Sequence, residues 1–347
     1  MSAGFIRVAL GSRHSMILNP DGSVWSTAIT SRGDLLRGAT LFVERISSGA
    51  TAAAAGTGFS IVLKRDGSVW GMGTNYHGQL GDGTRVKKFK FFFVQIIHGA
   101  KAAAAGLSHT MILTERGQVW ATGWNKHGQL GEGPVSYTTR FFITISSGAE
   151  AVAVGDVHSV VLKQDGSVWA TGSNQHGQLG DGTTTDRGGF VKVVSSGATG
   201  VAAGGYHSMV LKLDGSVWAT GWNEYGQLGD GSTTNRVSYV QVVSSGAKAV
   251  AAGSRHSLVL KQDGSVWATG SNEHGELGTG STTSSNIFVQ VVSDGAAVIA
   301  AGAHHSMLVR RDGSIFVTGS NEFSQLGDGT TMSKKNFLKL APFGHGL

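Results

Sequence analysis

Short apolar stretches alternate along the chain with clusters of Gly, Ser, Asp and Asn, and no segment shows the i, i+3, i+4 spacing of an amphipathic helix. Residues 248–296 read KAVAAGSRHSLVLKQDGSVWATGSNEHGELGTGSTTSSNIFVQVVSDGA. They predict four strands, at Ala249–Ala252, Ser257–Lys261, Ser265–Thr269 and Phe288–Val292. Asp263-Gly264 between the second and third predicts a two-residue hairpin of type I′, a turn that needs positive φ. The pattern then recurs. Trp25, Trp70, Trp120, Trp169, Trp218, Trp267 and, in the same register, Phe316 are separated by 45, 50, 49, 49, 49 and 49 residues. His14, Phe59, His109, His158, His207, His256 and His305 precede them at a constant offset. Repeats of this length mark solenoids, propellers or arrays. Four antiparallel strands repeated seven times predict an all-β fold: a seven-bladed β-propeller of four-stranded antiparallel blades. The units run at about 1–50, 51–100, 101–149, 150–198, 199–247, 248–296 and 297–347.

Composition fits one ring rather than the two domains that 347 residues would otherwise suggest. The 54 glycines fall at the end of each first strand, in the Asp-Gly turns, after the third strands and in the Gly-Gln-Leu-Gly-Asp-Gly loops. Ala-rich first strands such as Ala52–Ala55 suit the crowded axis, and the Trp series predicts bulky filler between blades. Cysteine is absent, which excludes disulfides, thiolate metal sites and cysteine nucleophiles. No apolar run approaches the roughly 18 residues of a membrane span, so no membrane partner is expected. The first residues lack the pattern of a signal peptide, and a cytoplasmic or nuclear location is expected.

The run G-x-x-H-S…D-G-S-V-W-A-T-G-x-N-x-x-G-Q-L-G-D-G resembles the repeat of the regulator of chromosome condensation family over residues 5–340. The resemblance implies a seven-bladed propeller. It leaves function open, because the family includes a nucleotide exchange factor, a plant light receptor, ligase-associated modules and bacterial protein inhibitors.

The repeats offer little chemistry. The histidines fall on different blades, which predicts hydrogen bonding to backbone within each blade rather than a metal site. Each His is followed by Ser or Thr, but neighbours on a strand face opposite ways, so no nucleophile–base dyad follows. The Gly-Asp-Gly-Thr loops lack the helix that a phosphate cradle requires and the acidic density of a calcium loop. They read as structural turns. No catalytic residue, metal or cofactor is expected.

Variation between units points to recognition. In an up-and-down meander the loops joining strands one to two and three to four share a face, and there the units differ. Arg13, Leu107, Tyr206, Arg255 and His304 lie in the first set of loops; Tyr76, Lys126, Tyr225 and Phe323 lie in the second. Trp124 and Trp222 stand where other units carry Ser or Thr. Such residues are enriched at interfaces and hot spots. His77, His127, His176, Tyr225, His274 and Phe323 share one position, where a ring is wanted that packs over the neighbouring loop or meets a partner. The opposite face, built from Asp-Gly-Ser turns, is expected to be uniform.

The net charge of +6 is uneven: units seven, one, two and three carry +10, the others −4. Arg85, Lys87, Lys88 and Lys90 form a basic loop that leads into Phe91-Phe92-Phe93-Val94, an expected outer strand. It reads as a solvated loop, a contact for an acidic protein or a nucleic-acid contact. Unit one departs most, at 28–38, and Phe337–Leu340 is expected to supply an outer strand at the ring junction. The leading reading is a non-enzymatic protein-recognition or scaffold propeller that binds a protein partner through its loop-rich face. The alternatives are a guanine-nucleotide exchange factor for a small GTPase, or a chromatin- or nucleic-acid-associated propeller.

Overall fold

A computed structural model describes residues 6–27, 40–133 and 136–341. Each repeat forms a four-stranded antiparallel sheet with its strands in chain order, giving seven blades around an axis. Blade six consists of Ala247–Ala252, His256–Lys261, Val266–Gly270 and Ser285–Val292. Its outer strand begins three residues earlier than the hydrophobic pattern suggests, because Ser285 pairs with Gly270 and Ile287 bridges Asp230 of the preceding blade at the solvated rim, where no apolar face is required. The core lies between blades: Met209, Leu211, Val217 and Leu228 of blade five meet Val259 and Trp267 of blade six.

The hairpin between the second and third strands is not type I′. Gly166 N donates to Lys163 O at 2.9 Å, and Lys163 N donates to Ser167 O at 2.9 Å. Three residues therefore form the loop: a type I turn followed by Gly166 at φ 75°. Asp165 has an ordinary negative φ, and its Oδ1 accepts Ser167 N at 2.9 Å. The Asp is selected for that bond, and the Gly alone takes the left-handed conformation.

The axis is closed by glycine. A Cβ on Gly11, Gly56, Gly106, Gly155, Gly204, Gly253 or Gly302 would meet the carbonyl oxygen of the corresponding glycine in the next blade at under 3.0 Å. The last of these meets the first, so the contacts form a complete circuit. On six of the seven, the same missing Cβ leaves room for the imidazole three residues on; on Gly56 the room is taken by Phe59.

Those imidazoles correct the expectation of bonding within a blade. His14 Nε2 lies 2.8 Å from Ser60 Oγ of the next blade, and His109, His158, His207, His256 and His305 repeat the contact at 2.9 Å with Ser159, Ser208, Ser257, Ser306 and Ser15. Ser159 Oγ in turn donates to Gln129 O at 2.8 Å, as Ser15, Ser208, Ser257 and Ser306 do to the matching carbonyl. With the hydroxyl proton directed at a carbonyl, Nε2 must be the protonated ring nitrogen. All six serines are buried, and Ser15, Ser159, Ser208, Ser257 and Ser306 are already committed as donors to carbonyls, so these His–Ser pairs are joints between blades. Phe59 interrupts the belt, and Thr110 opposite it bonds only to Gln79 O at 2.7 Å.

Ring closure repeats the ordinary junction. Lys334–Lys339, which contains Phe337, pairs with Ile315–Gly319 of its own blade, and among the described residues no strand crosses to blade one. His305 reaches Ser15, Ala303 N donates to Gly11 O at 3.2 Å, and Leu41 bridges Asp328. The divergent segment at 28–38 lies outside the described residues.

Burial holds the belt imidazoles neutral, with pKa values lowered to about 3 at His109, His158, His207 and His305 and about 4 at His14 and His256. Unfolding restores them to about 6.5, so the unfolded chain binds more protons between these values. Stability is then full above about pH 6.5 and falls as pH drops toward 4. The midpoint of thermal unfolding is expected to decline steeply over that window; a midpoint constant from pH 7 to 4.5 contradicts it. Ser159→Ala, which strips the acceptor from His109 Nε2–H, should cost about 1–3 kcal/mol in urea unfolding. Thr110→Ala, which faces Phe59 and orphans no imidazole, should cost less.

Candidate recognition face

The loops joining strands one to two and three to four gather on one face and surround a funnel at the axis. Its volume is about 640 Å³, and its wall includes Arg13, Leu107, Asp156, His304 and Phe323. Each funnel residue sits one or two positions before the buried belt position or in the Asn-x-x-Gly turn, so the scaffold fixes its backbone. In that turn the Asn side chain is consumed by structure. Asn174 Oδ1 accepts Leu179 N at 3.0 Å, while its Nδ2 donates to Asp181 Oδ1 at 2.9 Å and Thr183 O at 3.0 Å. The Gly-Asp-Gly-Thr loops are thus turns, as expected; Asp181 also binds Arg187 at 2.7 Å and bridges to Ser238 of the next blade.

The ring position of each Asn-x-x-Gly turn packs on the following blade. His77 lies 5.7 Å from Trp124, which also meets His127 edge-on at 5.4 Å. His274 meets His304 at 5.3 Å, and the Arg13 guanidinium lies 4.4 Å above Phe323. The densest group surrounds Trp222. His176, Tyr206 and Tyr225 approach its ring at 5.7, 5.9 and 5.3 Å. Arg255 sits 4.7 Å above Tyr225 and 5.5 Å from Trp222, and its Nη1 donates to Tyr225 Oη at 3.1 Å. Aromatic pairs of this geometry contribute about 0.5–1.5 kcal/mol beyond their burial, so the cluster is held in one arrangement.

Of the residues singled out in the sequence, Tyr206, Trp222, Tyr225 and Arg255 thus converge in one cluster, and Arg13, Leu107, His304 and Phe323 share the funnel. Trp124 forms a second, smaller aromatic group, and Lys126 and Tyr76 stand exposed beside it. The basic loop is elsewhere. Arg85 donates through Nε to Tyr76 O and lies 4.6 Å above Tyr137; Lys88 pairs with Asp82 at 3.1 Å; Lys87 lies 5.6 Å from the Phe89 ring. Lys90 is exposed on the outer strand Lys88–Ile96, beside Phe89 and Phe93, which are also exposed.

Two acidic groups emerge only from the structure. Asp156 is recessed in the funnel, where burial raises its carboxyl to about 6. Glu276 replaces the Gln of the other turns and is fully buried: Oε1 accepts Ser271 Oγ at 2.7 Å, and Oε2 accepts His274 N at 2.8 Å. Burial lowers the His304 pKa, and the Glu276 charge opposes that shift. The break from Gly-Gln-Leu-Gly to Gly-Glu-Leu-Gly was the available signal. Among the described residues, no group of His, Asp and Glu could hold a metal ion, and no helix is long and apolar enough to cross a membrane.

A family model described as the RCC1-like domain matches residues 1–286, and a regulator of chromosome condensation (RCC1) repeat matches 297–325. No curated protein matches the sequence. Among solved structures, human WBSCR16 superposes with a TM-score of 0.80 at 23% identity, covering 89% of this chain and 86% of that one. Prp20p from Saccharomyces cerevisiae, described with its binding properties to Gsp1p and histones, gives 0.80 at 19% identity over 99% and 87%. Yeast RCC1 (Prp20) bound to Kap60 gives 0.78 at 19% identity over 91% and 81%. At these identities the likeness is one of fold.

Glu276→Gln should restore the neutral turn, in which Gln325 Nε2 donates to Ser320 Oγ at 3.1 Å. Removing a buried carboxylate is expected to raise the thermal midpoint. It should also lower the His304 pKa further, since the opposing charge is gone. Proton NMR titration reads the second effect; an unchanged His304 pKa contradicts the proximity argument.

Proposed function

The chain belongs to the RCC1-like domain family, and from that premise we propose that it is a non-enzymatic recognition propeller whose funnel face binds a protein partner. The observation that carries this reading is the Trp222 cluster: four rings and a guanidinium, half-buried and pre-set by mutual contact, in loops of the face that holds the funnel. A rigid aromatic and Arg surface loses little entropy on binding and is the composition of interface hot spots. Asp156 gives the funnel an acceptor for a cationic side chain, and the loops of this face carry Arg13, Lys126 and Arg255 together with Glu224, Glu273 and Glu322. Charges of both signs favour a folded partner surface over nucleic acid at this face.

A second reading rests on the relative: Prp20p is described with binding to Gsp1p and histones, which favours a small GTPase or chromatin as the partner class and nucleotide exchange as the outcome. The two readings share one face and differ in whether binding changes the partner's nucleotide.

Immobilised full-length protein should retain a partner from native extract, and Trp222→Ala with Arg255→Ala should weaken retention by tenfold or more, on the order of 1.4 kcal/mol. Lys87→Glu with Lys90→Glu, on the rim, should leave retention unchanged. Retention equal to wild type by a folded Trp222→Ala/Arg255→Ala variant overturns the assignment. If the retained partner is a GTPase, accelerated nucleotide release supports the second reading.

A further inference from the structure

The face built from Asp-Gly-Ser turns is not uniform. Beneath blades one to three it opens into a cleft of about 390 Å³, lined by Arg7, Lys64, Arg65, Lys101 and Glu115 among others. A second cavity of about 190 Å³ runs toward the axis and shares Arg7, Leu18 and Lys101 with the first. Three of these cations occupy positions where the repeat is free to vary. Arg7 replaces a small or short side chain of the inner strand, namely Ala52, Ala102, Ala151, Gly200, Ala249 and Val298 in the other blades. Arg65 stands where other turns carry Pro20, Glu115, Gln164, Leu213, Gln262 and Arg311, and Lys101 where the register gives Thr51, Glu150, Thr199, Lys248 and Ala297.

Among the described residues, none of these four cations is in an ion pair. Arg7 Nη1 donates to Thr51 O at 3.0 Å, which holds the guanidinium over blade two and leaves its other donors for a ligand. Lys64 Nζ lies 4.1 Å above the Trp70 ring, which fixes the side chain at the cleft wall. Four cations without an ion-pair partner converge from three blades on a concave site whose lining holds one carboxylate, Glu115, and guanidinium forks match the oxygens of phosphate. The volume is that of a small organic ligand. Leu18, Pro20, Ala50 and Ala100 supply an apolar wall for carbon atoms, and Glu115 supplies a carboxylate that accepts hydroxyl protons but repels anions.

We propose that this cleft is a binding site for a multiply phosphorylated polyol, with Arg7, Arg65 and Lys101 on the phosphates and Glu115 on a hydroxyl group. The ligand is either free in solution or the headgroup of a lipid. The site lies on the opposite face from the funnel, so it does not depend on the protein partner.

Isothermal titration of the full chain at about 0.15 M salt tests it, with inositol 1,4,5-trisphosphate, which keeps free hydroxyl groups beside its phosphates, as the free probe. Saturable one-to-one binding is expected, weakened at least tenfold by Arg7→Ser with Arg65→Gln and unaffected by Lys87→Glu with Lys90→Glu on the rim. Inorganic tripolyphosphate, which lacks hydroxyl groups, should bind more weakly than the polyol and should gain affinity in Glu115→Gln. Vesicles containing phosphatidylinositol 4,5-bisphosphate give the headgroup arm: co-sedimentation lost in the same double variant assigns the lipid source, and its absence beside free-probe binding assigns the soluble one. No saturable binding in either arm, or equal losses from the rim and cleft variants, overturns the proposal.

Discussion

Close approach of seven glycine backbones at the axis is the constraint from which the rest of the molecule follows. With no Cβ at these positions, each blade places its inner strand against the next and leaves a slot for an aromatic ring. In six blades the ring is an imidazole, because a nitrogen donor there can reach the hydroxyl of the neighbouring blade. Apolar side chains then fill the wedge between blades, and the loops leaving the inner strand emerge at fixed positions around the funnel. In this belt every ring N–H meets a hydroxyl, while the Nδ1 acceptors of His109, His158, His207, His256 and His305 stay buried without a partner, which keeps the rings neutral.

Recognition capacity sits where this scaffold imposes nothing. The side chains of the two residues before each belt position, and of those flanking each turn Asn, lie outside the imidazole–hydroxyl contact, so they differ between blades. Trp222, Tyr206, Tyr225 and Arg255 use that freedom on one face. Arg7, Arg65 and Lys101 use it on the other, which gives the uneven charge of units seven to three a second location besides the rim loop. The same rule generates both surfaces: a uniform frame on which a few exceptions from adjacent blades meet.

The fold was legible because period, turn glycines and the Trp series repeat seven times. The face carrying the variable loops followed from meander topology, and with it most of the Trp222 group. Three things were not legible. The three-residue turn escaped because Asp-Gly is shared by two hairpin types that differ only in the residue before it. The role of the histidines escaped because their serine partners lie about 50 residues away in the sequence and in another blade. The cleft escaped because Arg7, Arg65 and Lys101 belong to three different units and come together only when adjacent blades stand side by side.

Closure without strand exchange has a consequence for how such a chain changes. The seam between the last and first blades is chemically another copy of the internal joints, with the same imidazole–hydroxyl contact and the same glycine approach. No blade is therefore privileged as the lock of the ring. A single blade can be exchanged for the sequence of a neighbour that carries the same imidazole and hydroxyl, with both its joints kept. The molecule is best regarded as a set of interchangeable wedges, in which a binding surface can be rearranged by permuting units rather than by redesigning loops.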